Sequence, residues 1–150
     1  MSLKDKVAVI TGGAGGIGRA ICLQLAEDGA AISIWDTNLP GAQETAQLIN
    51  DKGGRAIALE TDVASSASIA ATIERTHGEF GPMTILVNNA ALTGSACFED
   101  MTEAMWDRMI EVDLKGPFLC TKAVLNDMLA AEWGRIVNIT SSSVQLGTAY

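Results

Sequence analysis

The sequence predicts an α/β fold, a doubly wound parallel sheet with its strands in the order 3-2-1-4-5. Three observations carry this expectation. Short apolar runs alternate with helix-like segments along all 150 residues. The first run opens directly into a glycine-rich turn, Thr11-Gly-Gly-Ala-Gly-Gly-Ile-Gly18. The second run leads to an acid, Asp36, eighteen residues beyond Gly18. Strands separated by helices are joined by right-handed crossovers, which make neighbouring strands parallel.

Each element follows from local chemistry. Val7-Ala-Val-Ile10 is a continuous apolar run, fit for a strand buried on both faces. The glycines after it let the chain turn sharply and bring backbone close to a ligand, because no Cβ intervenes. Arg19 to Asp28 continues as a helix whose free N–H groups face that turn. Ala30 to Trp35 reads as the second strand. Asn38 and Pro40 open a helix over 41–52. Arg55 to Glu60 is the third strand, followed by a helix from Ser65 to Thr76 with Asp62 and Ser65 as candidate caps. Met83 to Val87 is the fourth strand. A helical region from Thr102 to Glu132 is bent or divided near Gly116-Pro117, since proline removes a helical hydrogen bond. Arg135 to Ile139 is the fifth strand. The whole of 1–150 reads as one domain.

Composition excludes several classes of function. The chain is 48% apolar, yet no run reaches the roughly 18 residues of a membrane span. Met1-Ser-Leu-Lys-Asp-Lys6 has no secretory signal pattern. Cys22, Cys97 and Cys120 are scattered, which suits a reducing cytoplasm and suggests neither a disulfide frame nor a metal site. A net charge of −8 argues against a nucleic-acid partner. His77, the only histidine, reads as a solvated helix-end residue.

The glycine turn is the strongest functional signal. A helix N-terminus behind such a turn suits a pyrophosphate, with Gly12, Gly15, Gly16, Ile17 and Gly18 as the candidate residues. Asp36 ends the second strand, where the adenosine ribose would sit. A carboxylate there accepts hydrogen bonds from the ribose hydroxyls and repels a 2′-phosphate. Neither Gly13-Ala-Gly15 nor Thr37 offers a cation for such a phosphate, so NAD is favoured over NADP. By itself Asp36 would be an ordinary turn or cap residue, and the glycine turn before it decides the reading. Asp62 is placed to accept from the adenine amino group while Val63 packs on the ring. Alone, Asp62 would be a helix cap. Asn89 and Ala90, in Asn88-Asn-Ala-Ala91, would brace the sheet and let a cofactor lie close.

Taken together, these segments resemble the short-chain dehydrogenase/reductase family, more closely its classical branch. Thr11-Gly12, Gly16 and Gly18 match that branch's T-G-x-x-x-G-x-G, although the octet also satisfies the extended branch through Gly15. The choice comes from Asn88-Asn89-Ala90 and from Gly134-Arg-Ile-Val-Asn-Ile-Thr-Ser141, which look like the classical N-N-A-G and G-x-I-V-N-I-S-S. The resemblance implies a Rossmann-like domain and an oxidoreductase that moves a hydride between NAD and a secondary alcohol or ketone. It implies Ser141 as the catalytic serine, bonded to the substrate oxygen. Asp113 falls where the family has an asparagine that helps hold a water of the proton relay; an aspartate there can accept but not donate. The family's Y-x-x-x-K pair would fall past Tyr150, so the domain is expected to be incomplete at its C-terminal side and inactive alone. Ser142, Ser143 and Tyr150 read as loop residues. The fifth strand is expected to show an open edge, and the long helix an apolar stripe of Met109, Val112, Leu125 and Leu129. The complete protein is expected to be a homo-oligomer, a dimer or tetramer. A non-catalytic NAD-binding module or inactive fragment is the alternative outside the enzyme class, and a 3-oxoacyl reductase the alternative within it. A sugar-nucleotide epimerase shares the fold, and the N-N-A segment counts against it.

Overall fold

A computed structural model describes residues 2–93 and 96–141; Ser142, Ser143 and Tyr150 lie outside the described residues. Strands β1 (Val7–Thr11), β2 (Ala31–Asp36), β3 (Arg55–Glu60), β4 (Ile85–Asn88) and β5 (Arg135–Asn138) pair in the order β3-β2-β1-β4-β5. Every pairing is parallel. This is the order expected from the sequence. The register sets Val9 opposite Ser33 on one side and Leu86 on the other.

Side chains alternate across a strand, so β1 feeds two cores. Val7 and Val9 join Trp35, Leu59 and Leu86 beneath α3 (Ser66–Phe80) and α5 (Gly116–Ala130). Ala8 and Ile10 join Ile32, Ile34 and Val87 beneath α1 (Gly16–Glu27) and α2 (Leu39–Asn50). Burial on both faces is why β1 reads as an unbroken apolar run rather than an alternating one.

The caps expected from sequence are largely in place. Asn38 accepts from the Gly41 N–H at 3.2 Å, and Pro40 occupies the first turn of α2. Ser65 caps α3 by accepting from the Ser68 N–H at 3.2 Å, so Asp62 is left for other work. The structure extends α3 past Thr76 to Phe80, where Gly81 closes it at φ 84°. Its inner face is a stripe of hydroxyls. Thr76 Oγ1 lies 2.8 Å from Ser33 Oγ, which accepts from Trp35 Nε1 at 2.9 Å. Thr72 Oγ1 lies 3.0 Å from Thr61 Oγ1.

The long helix divides where expected, immediately before Gly116-Pro117, but by a different device. α4 (Glu103–Ile110) and α5 are separated by a π-helical turn, Glu111–Lys115. Pro117 sits in the first turn of α5, where a missing N–H is harmless, so it does not break the helix. Val112 also departs from expectation. The wider turn directs it into the core with Val63, and only 6% of it is exposed. Leu125 and Leu129 stay exposed, as does every residue of β5. His77 is not simply solvated: Nε2 lies 2.7 Å from Asp127 Oδ2, which also accepts from the Met83 N–H at 2.8 Å. That pairing ties α3 to α5. No helix among the described residues is long and apolar enough to cross a membrane.

Burial pushes the Cys22 thiol up to about 12, with the nearby Asp36 charge adding to the effect, and burial alone pushes Cys120 to about 12. Cys97 is exposed. The thiolate is the reactive form. At neutral pH a maleimide should therefore modify Cys97 alone in the folded chain and all three cysteines in denaturant. Mass spectrometry checks this, and labelling of Cys22 without denaturant would contradict the tight packing of α1 on β2.

Candidate functional site

Beyond the C-terminal ends of the central strands lies a cleft of about 710 Å³. In a doubly wound sheet this is where ligands bind, at the point where strand order reverses between β1 and β4. The glycine turn forms one wall. Gly12, with φ 70°, packs so tightly that a Cβ would lie 2.9 Å from the Ala90 Cα. A Cβ on Gly18 would lie 2.1 Å from the Gly12 carbonyl oxygen, so the start of α1 sits directly against the turn. Gly15 and Gly16 are the opposite case: nothing lies within 4 Å of where their side chains would begin. Their backbone faces open space beside the free N–H groups of the first turn of α1. Ile17, 64% exposed, borders the same cleft.

Asn89 braces the turn from β4. Its Nδ2 donates to the carbonyl oxygens of Thr11 and Gly12, each at 3.0 Å. Thr11 Oγ1 accepts in return from the N–H groups of Asn89 and Ala90, each at 3.0 Å. Four hydrogen bonds thus lock the two loops that flank the switch point.

Asp36 stands at the cleft's edge with both carboxylate oxygens engaged. Oδ2 accepts from the Ala14 N–H and Oδ1 from the Asn38 N–H, each at 2.9 Å. The carboxylate is therefore fixed in position and keeps spare lone pairs toward the cleft. Arg19 is a residue that sequence reasoning missed. Its guanidinium donates to the Ala14 carbonyl at 2.6 Å and to Glu44 at 3.1 Å, while Nε donates to Thr45 at 2.9 Å. It clamps the turn to α2 through Nε and Nη2. Its place directly after Gly18 was the available signal.

Asp62 and Val63 form the far wall. Asp62 Oδ1 accepts from the Ala64 N–H at 3.0 Å, and Oδ2 from Arg108 Nη2 at 3.1 Å. Val63 is buried against α5, where a Cβ on Gly116 would lie 3.0 Å from its Cγ2. Ser141 lines this cleft and also an adjoining cavity of about 1150 Å³. Asp113 is the one candidate outside the cleft. It lines the adjoining cavity with Ser141, and its Oδ1 accepts from the Leu92 N–H at 2.8 Å. The structure thus gathers ten of the sequence candidates with Ser141 in one cleft and sets Asp113 next door.

The groups present fit a dinucleotide: open backbone N–H donors for phosphates, a fixed carboxylate acceptor for ribose hydroxyls, and a second carboxylate acceptor beside an apolar wall for a base. Comparison with known proteins bears on family and fold. The sequence profile described as short chain dehydrogenase matches residues 6–149. A cis-4-hydroxycyclohexanecarboxylate dehydrogenase of Sinomonas cyclohexanicum is 42% identical over 97% of this chain and 58% of its own length. A 3-oxoacyl-acyl-carrier-protein reductase, FabG, of Pseudomonas aeruginosa is 38% identical over 99% of this chain and 60% of its own. A crystal structure described as a short-chain alcohol dehydrogenase, from Sinorhizobium meliloti 1021, superposes with a TM-score of 0.91 at 35% identity. It covers 98% of this chain and 58% of that one. The chain thus spans about three fifths of the length of the relatives it matches. By profile, sequence and fold alike, it belongs to the short-chain dehydrogenase family.

Proposed function

We propose that the chain is the nucleotide-binding domain of an NAD-dependent oxidoreductase acting on a secondary alcohol or the matching ketone. One observation carries the choice of cofactor: the Asp36 carboxylate, fixed at the cleft edge by the N–H groups of Ala14 and Asn38. Held there, it accepts from the ribose hydroxyls and repels a 2′-phosphate. Gly15 and Gly16 give the pyrophosphate unobstructed backbone. Asp62 accepts from the adenine amino group and Val63 faces the ring. When bound, NAD supplies the hydride acceptor.

Ser141 donates a hydrogen bond to the substrate oxygen, where negative charge grows during the reaction. Asp113 holds the Leu92 backbone and so sets one wall of the substrate cavity. Residues 1–150 contain no Y-x-x-x-K motif to pair with Ser141 for proton transfer. Residues 1–150 on their own therefore bind the nucleotide without turning substrate over. The setting this reading implies is a cytoplasmic homo-oligomer. The name of the Pseudomonas aeruginosa relative supports a second reading, reduction of a 3-oxoacyl substrate. Asp36 favours the first, because an NAD-type site suits oxidation of an alcohol.

Calorimetric titration with NAD and NADP tests the cofactor choice. The chain should prefer NAD. In Asp36→Ala with Thr37→Arg, NAD should bind at least about tenfold more weakly, because hydrogen bonds to a charged acceptor are lost, and NADP should now bind. Asp36→Asn, which keeps an acceptor for the Ala14 N–H, should lose part of the discrimination with the turn intact. Unchanged selectivity in both variants would remove Asp36 from the site.

A further inference from the structure

Arg108 is the residue of α4 that reaches the cleft, and its partner lies across the fold. Its guanidinium donates to Asp62 Oδ2 at 3.1 Å, while Nη1 stands 3.6 Å from Glu111 Oε2. No residue of α4 is buried, so this bridge does not serve a core. It is also half-exposed, and a half-exposed ion pair contributes little to stability. What the bridge does accomplish is orientation. The Asp62 N–H donates to Ser68 Oγ at 3.1 Å, and Oδ1 accepts from the Ala64 N–H at 3.0 Å. Those bonds set the backbone and one oxygen. Arg108 sets the other oxygen, and with it the plane of the carboxylate.

We propose that Arg108 is a positioning residue for the adenine pocket: it holds the Asp62 carboxylate in the one orientation that accepts from the adenine amino group. The inference rests on the reading of the cleft as an NAD site. A carboxylate oxygen has two lone-pair directions. With one taken by Arg108 or Ala64, the other points to the cleft that both Asp62 and Arg108 line. Without the guanidinium, the side chain rotates and the acceptor is lost from the cleft.

The test compares NAD with nicotinamide hypoxanthine dinucleotide, in which an oxo group replaces the adenine amino group. Both are titrated against the 150-residue chain and its variants. Arg108→Ala should weaken NAD binding about tenfold, as loss of a charged hydrogen bond does, and leave the hypoxanthine nucleotide within about twofold. Arg108→Lys, which keeps a cation for Asp62, should recover most of the loss. Equal weakening of both nucleotides by Arg108→Ala would show a merely structural role and overturn the proposal. Tighter NAD binding would also overturn it, by showing that Arg108 competes with adenine for Asp62. Asp62→Ala separates the two levels. If it fails to discriminate between the nucleotides, the reading of the adenine pocket falls. If it discriminates and Arg108→Ala does not, only the role of Arg108 falls.

Discussion

Gly18→Ala is expected to abolish nucleotide binding and to destabilise the chain by about 2–3 kcal/mol, as overpacking of a closed site does. The added methyl would stand 2.1 Å from the Gly12 carbonyl oxygen and 2.7 Å from Asn89 Nδ2. The first of these is backbone, so no rotamer change relieves the clash. The start of α1 must move away from β1, which breaks the contact that Asn89 holds between the two loops. Gly15→Ala provides the contrast. Its φ of −168° is extended backbone that any residue adopts, and its Cβ would meet nothing. That variant should unfold at the same urea concentration as the parent and yet bind NAD more weakly, because the methyl intrudes on the space for phosphate. Urea titration followed by calorimetry reads both effects. A Gly18→Ala midpoint equal to that of the parent would show that the turn is not close-packed.

Trp35→Ala should have the largest effect on stability, about 3–5 kcal/mol, from lost burial plus the cavity left behind. Trp35 is fully buried beside Val9 and Leu59, and its Nε1 donates to Ser33 Oγ. A loss of that size approaches the whole stability of a small domain, so the alanine variant should fail to fold. Trp35→Phe keeps most of the ring and removes the donor. It should lower stability by about 1–3 kcal/mol, since the Ser33–Thr76 hydroxyl pair loses its third member. Denaturant unfolding of the phenylalanine variant checks this. A midpoint unchanged from that of the parent would mean that the hydroxyl cluster does not need the indole.

Much of this was legible in the sequence because its causes are local. A strand, a glycine turn and a helix announce themselves within the first 28 residues, and Asn38, Pro40 and Ser65 mark helix starts by side chains that bond a few residues away. Asp36 was found because it ends a strand in a fixed relation to the turn. What escaped notice depends on partners far along the chain. Arg108 meets Asp62, and His77 meets Asp127, with no local pattern to join them. The break in the long helix was legible in place, just before Gly116-Pro117, but not in form, because a π turn of ordinary residues from Glu111 to Lys115 leaves no compositional mark. The extent of α3 was underestimated for a related reason. Its inner face is built on Thr72 and Thr76 rather than on aliphatic residues, so apolar periodicity gave little sign of where it ended.

The central place of β1 bears on how the chain folds. Ala8 pairs with Ile32 on one side and with Ile85 on the other, roughly three times further along the chain. Closing the longer loop costs only about 1 kcal/mol more in chain entropy, but non-local parallel pairing is slow. During synthesis the wing formed by β1, β2 and β3 is complete once Glu60 has emerged, while Ile85 to Val87 do not yet exist. Through that interval the β4-facing edge of β1 stands bare, although Ala8, Val9 and Ile10 are fully buried in the finished molecule. The nascent chain is thus most prone to mispairing at the strand that leads into the binding turn, and it is relieved of that risk when β4 arrives.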